Sequence, residues 1–310
     1  MKILITGGAG FIGSHVADRF VELGHEVVIL DDLSTGLQEN VRADVKFIKG
    51  DITDSKLVKE LFEAHKFSAV SHHAAQMNVR LSVENPTFDA QTNILGTINL
   101  LQAAARNGVK KFMFSSTGGA VYGEQEAFPA DESHPTNPLS PYGISKLACE
   151  KYISYYSYVY DMQMVIMRYA NVYGPRQNPY GEAGVVAIFS NHLVRGEPVT
   201  INGDGLQTRD YIYIEDVVDL NEISLGYPGS IIVNVGTGIE TDVVTIYRYL
   251  AEASCTELEA RHGPAKPGEQ RRSVISPQHA RIMMGWKAQT ALSDGLTMTY
   301  HSFEPESRSS

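Results

Sequence analysis

The sequence predicts an α/β protein built on a doubly wound parallel sheet, followed by a smaller C-terminal α/β domain. Three observations carry this. Short, almost wholly apolar segments alternate with segments of helical period, and strands that are apolar on both faces belong to a parallel sheet covered by helices on each side. The first of these strands runs directly into a glycine-rich turn that opens a helix. Beyond residue 170 the texture changes to shorter elements broken by Gly/Pro/Asn-rich pieces such as GPRQNPYGEAG and NGDGLQTRD.

Each element follows in order. KILIT from Lys2 is a strand, FIGSHVADRFVEL has helical period, Gly24 stops it, and EVVIL completes a strand–helix–strand unit. VKFIK is a third strand, a helix covers 55–65, FSAVSHH is a fourth strand, and a long helix spans 87–107. KKFMFSS is the fifth strand, and a helix over 141–160 leads into MQMVIMRYA. Residues 1–170 then form one domain, with some later segments returning to it, and 171–310 form mainly a substrate-facing one. The terminal EPESRSS is expected to fray.

Composition excludes several classes. The chain of 310 residues is long enough to bury a core without staples. Its 26 Lys+Arg against 36 Asp+Glu leave a net charge of −10, a field that argues against general nucleic-acid or anionic-membrane binding. Two cysteines, Cys149 and Cys255, cannot make a disulfide framework and lack metal-ligand spacing, which points to a reducing cytoplasm. No apolar run reaches the roughly 18 residues of a membrane span, and no signal-peptide core precedes the first strand. His72 and His73 adjoin at a strand end without a third ligand, so no metal is expected.

TGGAGFIG places Gly8, Gly10 and Gly13 in G-x-G-x-x-G spacing and Gly7, Gly10 and Gly13 in G-x-x-G-x-x-G spacing. Missing side chains let the backbone turn tightly and approach a pyrophosphate, which meets the free amides of the helix N-terminus. Asp31 closes the second strand, where a carboxylate binds ribose hydroxyls and repels a 2′-phosphate, so the expected cofactor is NAD. Asp32 and Asp31 also suit an ordinary turn before Ser34 and Gly36. Asp51 and Ile52, after the third strand, are placed to meet an adenine.

PYGISK sets Tyr142 and Lys146 four apart, on one helical face, with Cβ atoms about 6 Å apart. Lowering a phenol by about 3 pKa units takes roughly 4 kcal/mol of selective phenolate stabilisation. One ammonium about 6 Å away supplies about 2.8 kcal/mol at an effective dielectric of 20, or roughly two units. The lysine alone falls short, and an oxidised nicotinamide ring is the second cation that closes the gap. Thr117 ends a strand at its carboxyl edge, where ligands sit in open α/β sheets.

TGGAGFIG, Asp31, HHAA at 72–75, Asn93, SST at 115–117, YGISK, RYANVYGPRQ at 168–177 and TRDYIYIEDV at 208–217 together resemble the extended short-chain dehydrogenase/reductases. The resemblance is closest to nucleotide-sugar 4-epimerases of the UDP-glucose/UDP-galactose type and runs over nearly the whole chain. It implies a Rossmann-type NAD-binding domain, a UDP-sugar domain and a homodimer. It implies Tyr142 as base, Lys146 as its electrostatic partner, and Thr117 as hydroxyl donor to the reacting oxygen. Along the cofactor it places Gly7, Gly10, Phe11, Ile12, Gly13, Asp31, Asp32, Ser34, Thr35, Gly36, Asp51 and Ile52. His73, Ala74, Ala75, Gln76, Asn93, Ser115 and Tyr169 complete that set.

On the substrate side the resemblance implies Asn171, Val185, Val186 and Arg209. Arg261, Lys266, Arg271 and Arg272 against Glu269 form a local positive excess suited to a diphosphate. Lys266 stands where the family usually has arginine, and Glu269 where it usually has aspartate. Ser273 is expected to border the sugar's 2-substituent and to leave room for an N-acetyl group. The related 4,6-dehydratases usually carry Asp-Glu after the strand-end threonine. Here Gly118 and Gly119 stand instead, as if to let a sugar ring turn. The expected reaction is 4-epimerisation of UDP-glucose/UDP-galactose and, given Ser273, of the N-acetylhexosamine pair. A UDP-glucuronate 4-epimerase, another nucleotide-sugar oxidoreductase, and a non-catalytic NAD-binding regulator are the alternatives.

Overall fold

A computed structural model describes residues 1–180, 184–265 and 270–305. Six parallel strands, β1 (Lys2–Thr6), β2 (Glu26–Asp31), β3 (Lys46–Lys49), β4 (Ala69–His72), β5 (Lys111–Thr117) and β6 (Gln163–Tyr169), form the central sheet with a later strand, Ile231–Val235. The order is Ile231–Val235, β6, β5, β4, β1, β2, β3, so chain direction across the sheet reverses between β1 and β4. In open α/β sheets ligands bind in the crevice outside the carboxyl ends at such a switch point, here the ends of β1, β4 and β5.

The apolar runs dictate burial. Ile3, Leu4, Ile5, Val28, Leu30, Val70, Phe112, Phe114, Val165 and Ile166 are fully enclosed between two helical layers. One layer holds Phe11–Glu22 against Ile214–Gly226, and the other holds Ser55–His65, Gly96–Arg106 and Pro141–Tyr160. Asp54 caps the Ser55–His65 helix by accepting from the amides of Lys56 and Leu57. Ser140 accepts from the Gly143 amide, and Pro141 stands at the first helical position of the Pro141–Tyr160 helix.

The region 87–107 departs from a single regular helix. Pro86–Ala90 and Gly96–Arg106 are α-helical, and Gln91–Leu95 between them is a π turn. Within it the Asn93 carbonyl accepts from the Gly96 amide and also from Thr97 Oγ1 at 2.6 Å and Cys149 Sγ at 3.2 Å. A further helix, Val79–Glu84, has no counterpart in the sequence reading. After residue 170, Asn171–Tyr173, Thr208–Tyr213, Glu240–Asp242 and Arg272–Ser273 make a second, small sheet. The Ile231–Val235 strand returns to the edge of the large sheet beside β6.

Candidate active site

The glycine turn is built for close backbone approach. Gly7 has φ +70°, and a Cβ on it would lie 2.5 Å from the Ala74 nitrogen at the end of β4. A Cβ on Gly13 would lie 2.2 Å from the Gly7 oxygen. The helix Phe11–Glu22 begins at Gly10 with no side-chain cap, so the amides of Phe11, Ile12 and Gly13 present the positive end of the helix to the crevice. These features fit a dinucleotide diphosphate.

Asp31 lies beside the turn. Its two oxygens accept from the amides of Ala9 at 3.0 Å and Leu33 at 2.8 Å, and each retains a second lone-pair direction for a ribose hydroxyl. Burial pushes its carboxyl up, against the pull of those two amides. Gly36 lets its loop pack on Ala9 and Asp31. Asp32 makes a turn instead, accepting from the amide and hydroxyl of Ser34, and Ser34 and Thr35 are exposed. Asp51 is exposed, whereas the Ile52 side chain is buried against Gly96, so it is a core side chain rather than an open adenine wall.

At the end of β4 the two histidines are held by hydroxyls. His72 bridges Thr6 and Thr97, and His73 bridges Ser71 and Ser115. Burial, with the Lys146 charge adding to it, holds both neutral, His73 down to about 3. Both ring nitrogens of each are engaged, and no group of metal-ligating side chains occurs among the described residues. The stretch Ala74, Ala75, Gln76 is fixed from behind by Asn93, whose side chain accepts from the Gln76 amide and donates to the Gln76 carbonyl and to Asp89. Asn93 therefore has no donor left for a ligand and acts by shaping that stretch.

The helix Pro141–Tyr160 carries Tyr142 and Lys146 to the same crevice. The Lys146 ammonium donates to the Ser115 carbonyl at 2.9 Å, lies 4.7 Å from the Phe114 ring centre, and lies 6.0 Å from the Tyr142 ring centre. Lys146 is buried and Tyr142 partly exposed. Burial pulls Lys146 down to about 8, against the opposing influence of Cys149, Asp89 and Glu150. The surroundings of Tyr142 push its phenol above the ordinary value: desolvation acts first, and Asp89 and Cys149 act in the same direction. That is opposite to the direction a base needs, so the gap expected from sequence widens. The same low dielectric strengthens any positive charge beside the oxygen.

Thr117 closes β5 and precedes the short helix Gly118–Val121. A Cβ on Gly119 would lie 3.8 Å from Asn171 Oδ1 and 3.9 Å from Thr117 Oγ1, which places these two side chains on one open wall. Gly118 corrects the sequence reading. A Cβ there would lie 2.8 Å from Ile275 Cδ1, so Gly118 is a packing glycine and Gly119 alone faces open space. Tyr169 is buried at the end of β6: its hydroxyl lies beside Ser115, accepts from Asn221 at 2.9 Å, and is pushed up by burial to about 12.

Three further expectations change. Val186 is a core side chain in the helix Val185–Val194, with Val185 partly buried beside it. Arg271 is paired with Asp204 through two hydrogen bonds, and Arg272 with Glu240 through two more while stacking 3.8 Å from the Phe128 ring centre. Two of the four cations of the expected positive cluster are thus neutralised within the chain. Arg209 donates to the Thr208 carbonyl and stands in register with buried Ser273. Lys266 and Glu269 lie outside the described residues.

Two buried networks had escaped the sequence reading. Glu150, Arg168, Ser116, Tyr122 and Asn234 link the Tyr142 helix to β5, β6 and the Ile231–Val235 strand. Asp89 links Ser145, Gln76 and Asn93. The only signal in the sequence is a serine adjacent to Lys146 and an acid four residues before Asn93, both of which read equally well as surface residues.

Residues 3–236 match the NAD dependent epimerase/dehydratase family. The chain belongs to that family. It is 44% identical over 315 residues to the UDP-glucose 4-epimerase of Mycolicibacterium smegmatis, covering 99% of this chain and all of that one. A crystal structure of the UDP-glucose 4-epimerase of Thermotoga maritima with UDP-glucose superposes at a TM-score of 0.96, with 43% identity and 98% of both chains covered. The UDP-glucose 4-epimerase of Thermus thermophilus in complex with NAD superposes at 0.93, also with 43% identity, over 98% of this chain and 99% of that one.

Proposed function

We propose that this protein is an isomerase, a UDP-hexose 4-epimerase that keeps NAD and works through a transient 4-keto sugar. The observation that carries the reading is the Tyr142–Lys146 pair, 6.0 Å apart by ring centre and ammonium, at the carboxyl edge of the sheet that also holds the glycine cradle. NAD, when bound, reversibly accepts and returns the two electrons and hydrogen at sugar carbon 4. Residues 1–170 with the returning Ile231–Val235 strand hold it: the Gly7, Gly10 and Gly13 turn the diphosphate, Asp31 the ribose, and the 73–76 stretch the far half.

Tyr142 takes the proton of the 4-hydroxyl and returns it after the sugar has turned. Lys146 stabilises the phenolate by its charge, and Thr117 donates to the reacting oxygen. Asn171, Arg209, the N-terminal amides at Val185 and, outside the described residues, Lys266 and Glu269 hold the UDP part while the hexose rotates. Gly119 leaves that wall without a side chain, where a dehydratase needs an acid.

A homodimer suits the surface. Ile144, Tyr152, Tyr155 and Val159 form an exposed stripe on the Tyr142 helix, and Phe88 and Leu95 are exposed on the neighbouring helical run. No described helix is long and apolar enough to cross a membrane.

The test is purified protein without added NAD, given UDP-glucose, UDP-N-acetylglucosamine and UDP-glucuronate separately, with products resolved by NMR. Expected is interconversion of UDP-glucose and UDP-galactose by protein that retains NAD. Turnover of the uronate alone, or dependence on added reduced cofactor, overturns the reading.

A further inference from the structure

Asp89 is a carboxylate with no exposed surface, on the helix Pro86–Ala90. Its Oδ1 accepts from Gln76 Nε2 at 2.8 Å and Asn93 Nδ2 at 3.0 Å, and its Oδ2 accepts from the Ser145 hydroxyl at 2.6 Å. All three partners are neutral. A buried carboxylate held only by neutral donors is costly unless a cation lies near enough to balance it. The residue after Ser145 is Lys146, itself buried, whose ammonium donates only to a carbonyl and lies over an aromatic ring.

The groups facing Lys146 from every side narrow the choice. From β4, His72 and His73 are held neutral. From its own helix, Tyr142 is a phenol, Cys149 is a thiol pushed up by burial, and Glu150 is taken by the Arg168 guanidinium at 3.0 and 2.7 Å. Arg80 and Glu84 on the neighbouring helix Val79–Glu84 are exposed. Among the described residues, Asp89 is the buried anion near Lys146 that no cation of its own neutralises.

We propose that Asp89 is a positioning residue: it ties the helix of Tyr142 and Lys146, through Ser145, to the cofactor-lining stretch at Gln76 and Asn93, and supplies the negative charge that keeps the Lys146 ammonium protonated. Geometry and charge act together here. The tether fixes where the Lys146 stem starts, and the charge opposes the loss of its proton that burial favours. This rests on the assignment of Lys146 as electrostatic partner of Tyr142.

Asp89→Asn keeps the shape while removing the charge; with its oxygen toward Gln76 and Asn93, its Nδ2 faces Ser145, whose hydroxyl then accepts instead of donating. Lys146 is followed by 13C NMR of labelled lysine side chains during a pH titration, without substrate, in the wild type and the variant. Its midpoint is expected to fall by about half a pH unit or more, because a cation that loses a nearby anion gives up its proton more readily. The alkaline limb of the kcat profile for UDP-glucose is expected to move to lower pH by the same amount; a half-unit shift from about 8 takes the protonated fraction at pH 7 from about nine-tenths to about three-quarters, and kcat at that pH is expected to fall in proportion. A rate loss with both the midpoint and the limb unmoved shows a merely structural role and overturns the charge half of the proposal.

Ser145→Ala removes the tether and leaves the charge. It is expected to lower kcat about threefold or more with the alkaline limb in place. An unchanged kcat overturns the tether half, and this arm stands even where Asp89→Asn does not fold. The NMR titration reads Lys146 without turnover, so a moved midpoint in a protein that converts none of the UDP-sugars upholds Asp89 and sinks the epimerase reading alone.

Discussion

Lys146→Met separates what the buried ammonium does for catalysis from what it does to stability. The ammonium lies 6.0 Å from the Tyr142 ring centre, and a unit charge about 6 Å from a phenolate stabilises it by about 2.8 kcal/mol at an effective dielectric of 20, close to two pKa units. Its loss is expected to cut kcat about a hundredfold and to move the acid limb of the profile, where Tyr142 gains its proton, about two units higher. Stability moves the other way. Lys146 falls from 10.5 to about 8 on folding, so the unfolded chain binds more protons between those values. The resulting cost, about 3 kcal/mol, is fully present below pH 8 and disappears as pH rises to 10.5. Removing the group returns that amount, less about 1 kcal/mol for the Ser115 carbonyl left without its donor. The variant is therefore expected to be more stable than the wild type by about 2 kcal/mol at pH 7. Urea unfolding from pH 7 to 10.5 and steady-state epimerisation of UDP-glucose over the same pH range test both halves. A variant that loses both activity and stability at pH 7 refutes the charge argument, because a structural role alone explains that pattern.

The other predictions are simpler. Gly13→Ala puts a Cβ 2.2 Å from the Gly7 oxygen, so the turn must open; the purified variant is expected to retain less than about a tenth of the NAD that the parent carries, read from released cofactor. Arg168→Met leaves Glu150 buried without its guanidinium and is expected to cost about 3–5 kcal/mol of unfolding free energy in urea. Ser273→Tyr puts a large ring at the position in register with Arg209 and is expected to cut N-acetylhexosamine turnover about tenfold relative to the plain hexose in competition assays; an unchanged ratio removes Ser273 from substrate selection.

The parallel sheet was legible because its strands are apolar on both faces and separated by helical periods, a pattern that tertiary context rarely overrides. The glycine cradle was legible for a related reason: positions that need a positive φ or contact between backbones accept few residue types. Helix 87–107 was read one step too simply. Nothing in QTNIL announces a π turn, and one of the donors that meet the Asn93 carbonyl there, Cys149, comes from another helix. The basic segment misled for the opposite reason. Arg271 and Arg272 look free in sequence, but their partners, Asp204 and Glu240, arrive from 67 and 32 residues away. Charge balance between distant elements is the part of a site that local pattern cannot carry.

Buried charge also orders the consequences of mutation. The phenol of Tyr142 is pushed up where it stands, so it acts as a base only with positive charge beside it. Lys146 supplies that charge but is itself drawn down to about 8, leaving roughly nine-tenths of it protonated at pH 7 and half at pH 8. Asp89 raises that fraction from the next helix. Each group supports the one nearer the sugar, so removing them one at a time should hurt progressively less with distance from the reacting oxygen. The expected order of kcat loss at pH 7 is Tyr142→Phe, then Lys146→Met, then Asp89→Asn. At pH 9 the last two should converge, because both proteins then lack most of the ammonium. A larger loss for Asp89→Asn than for Lys146→Met at neutral pH would mean that the carboxylate reaches Tyr142 by a route other than the lysine.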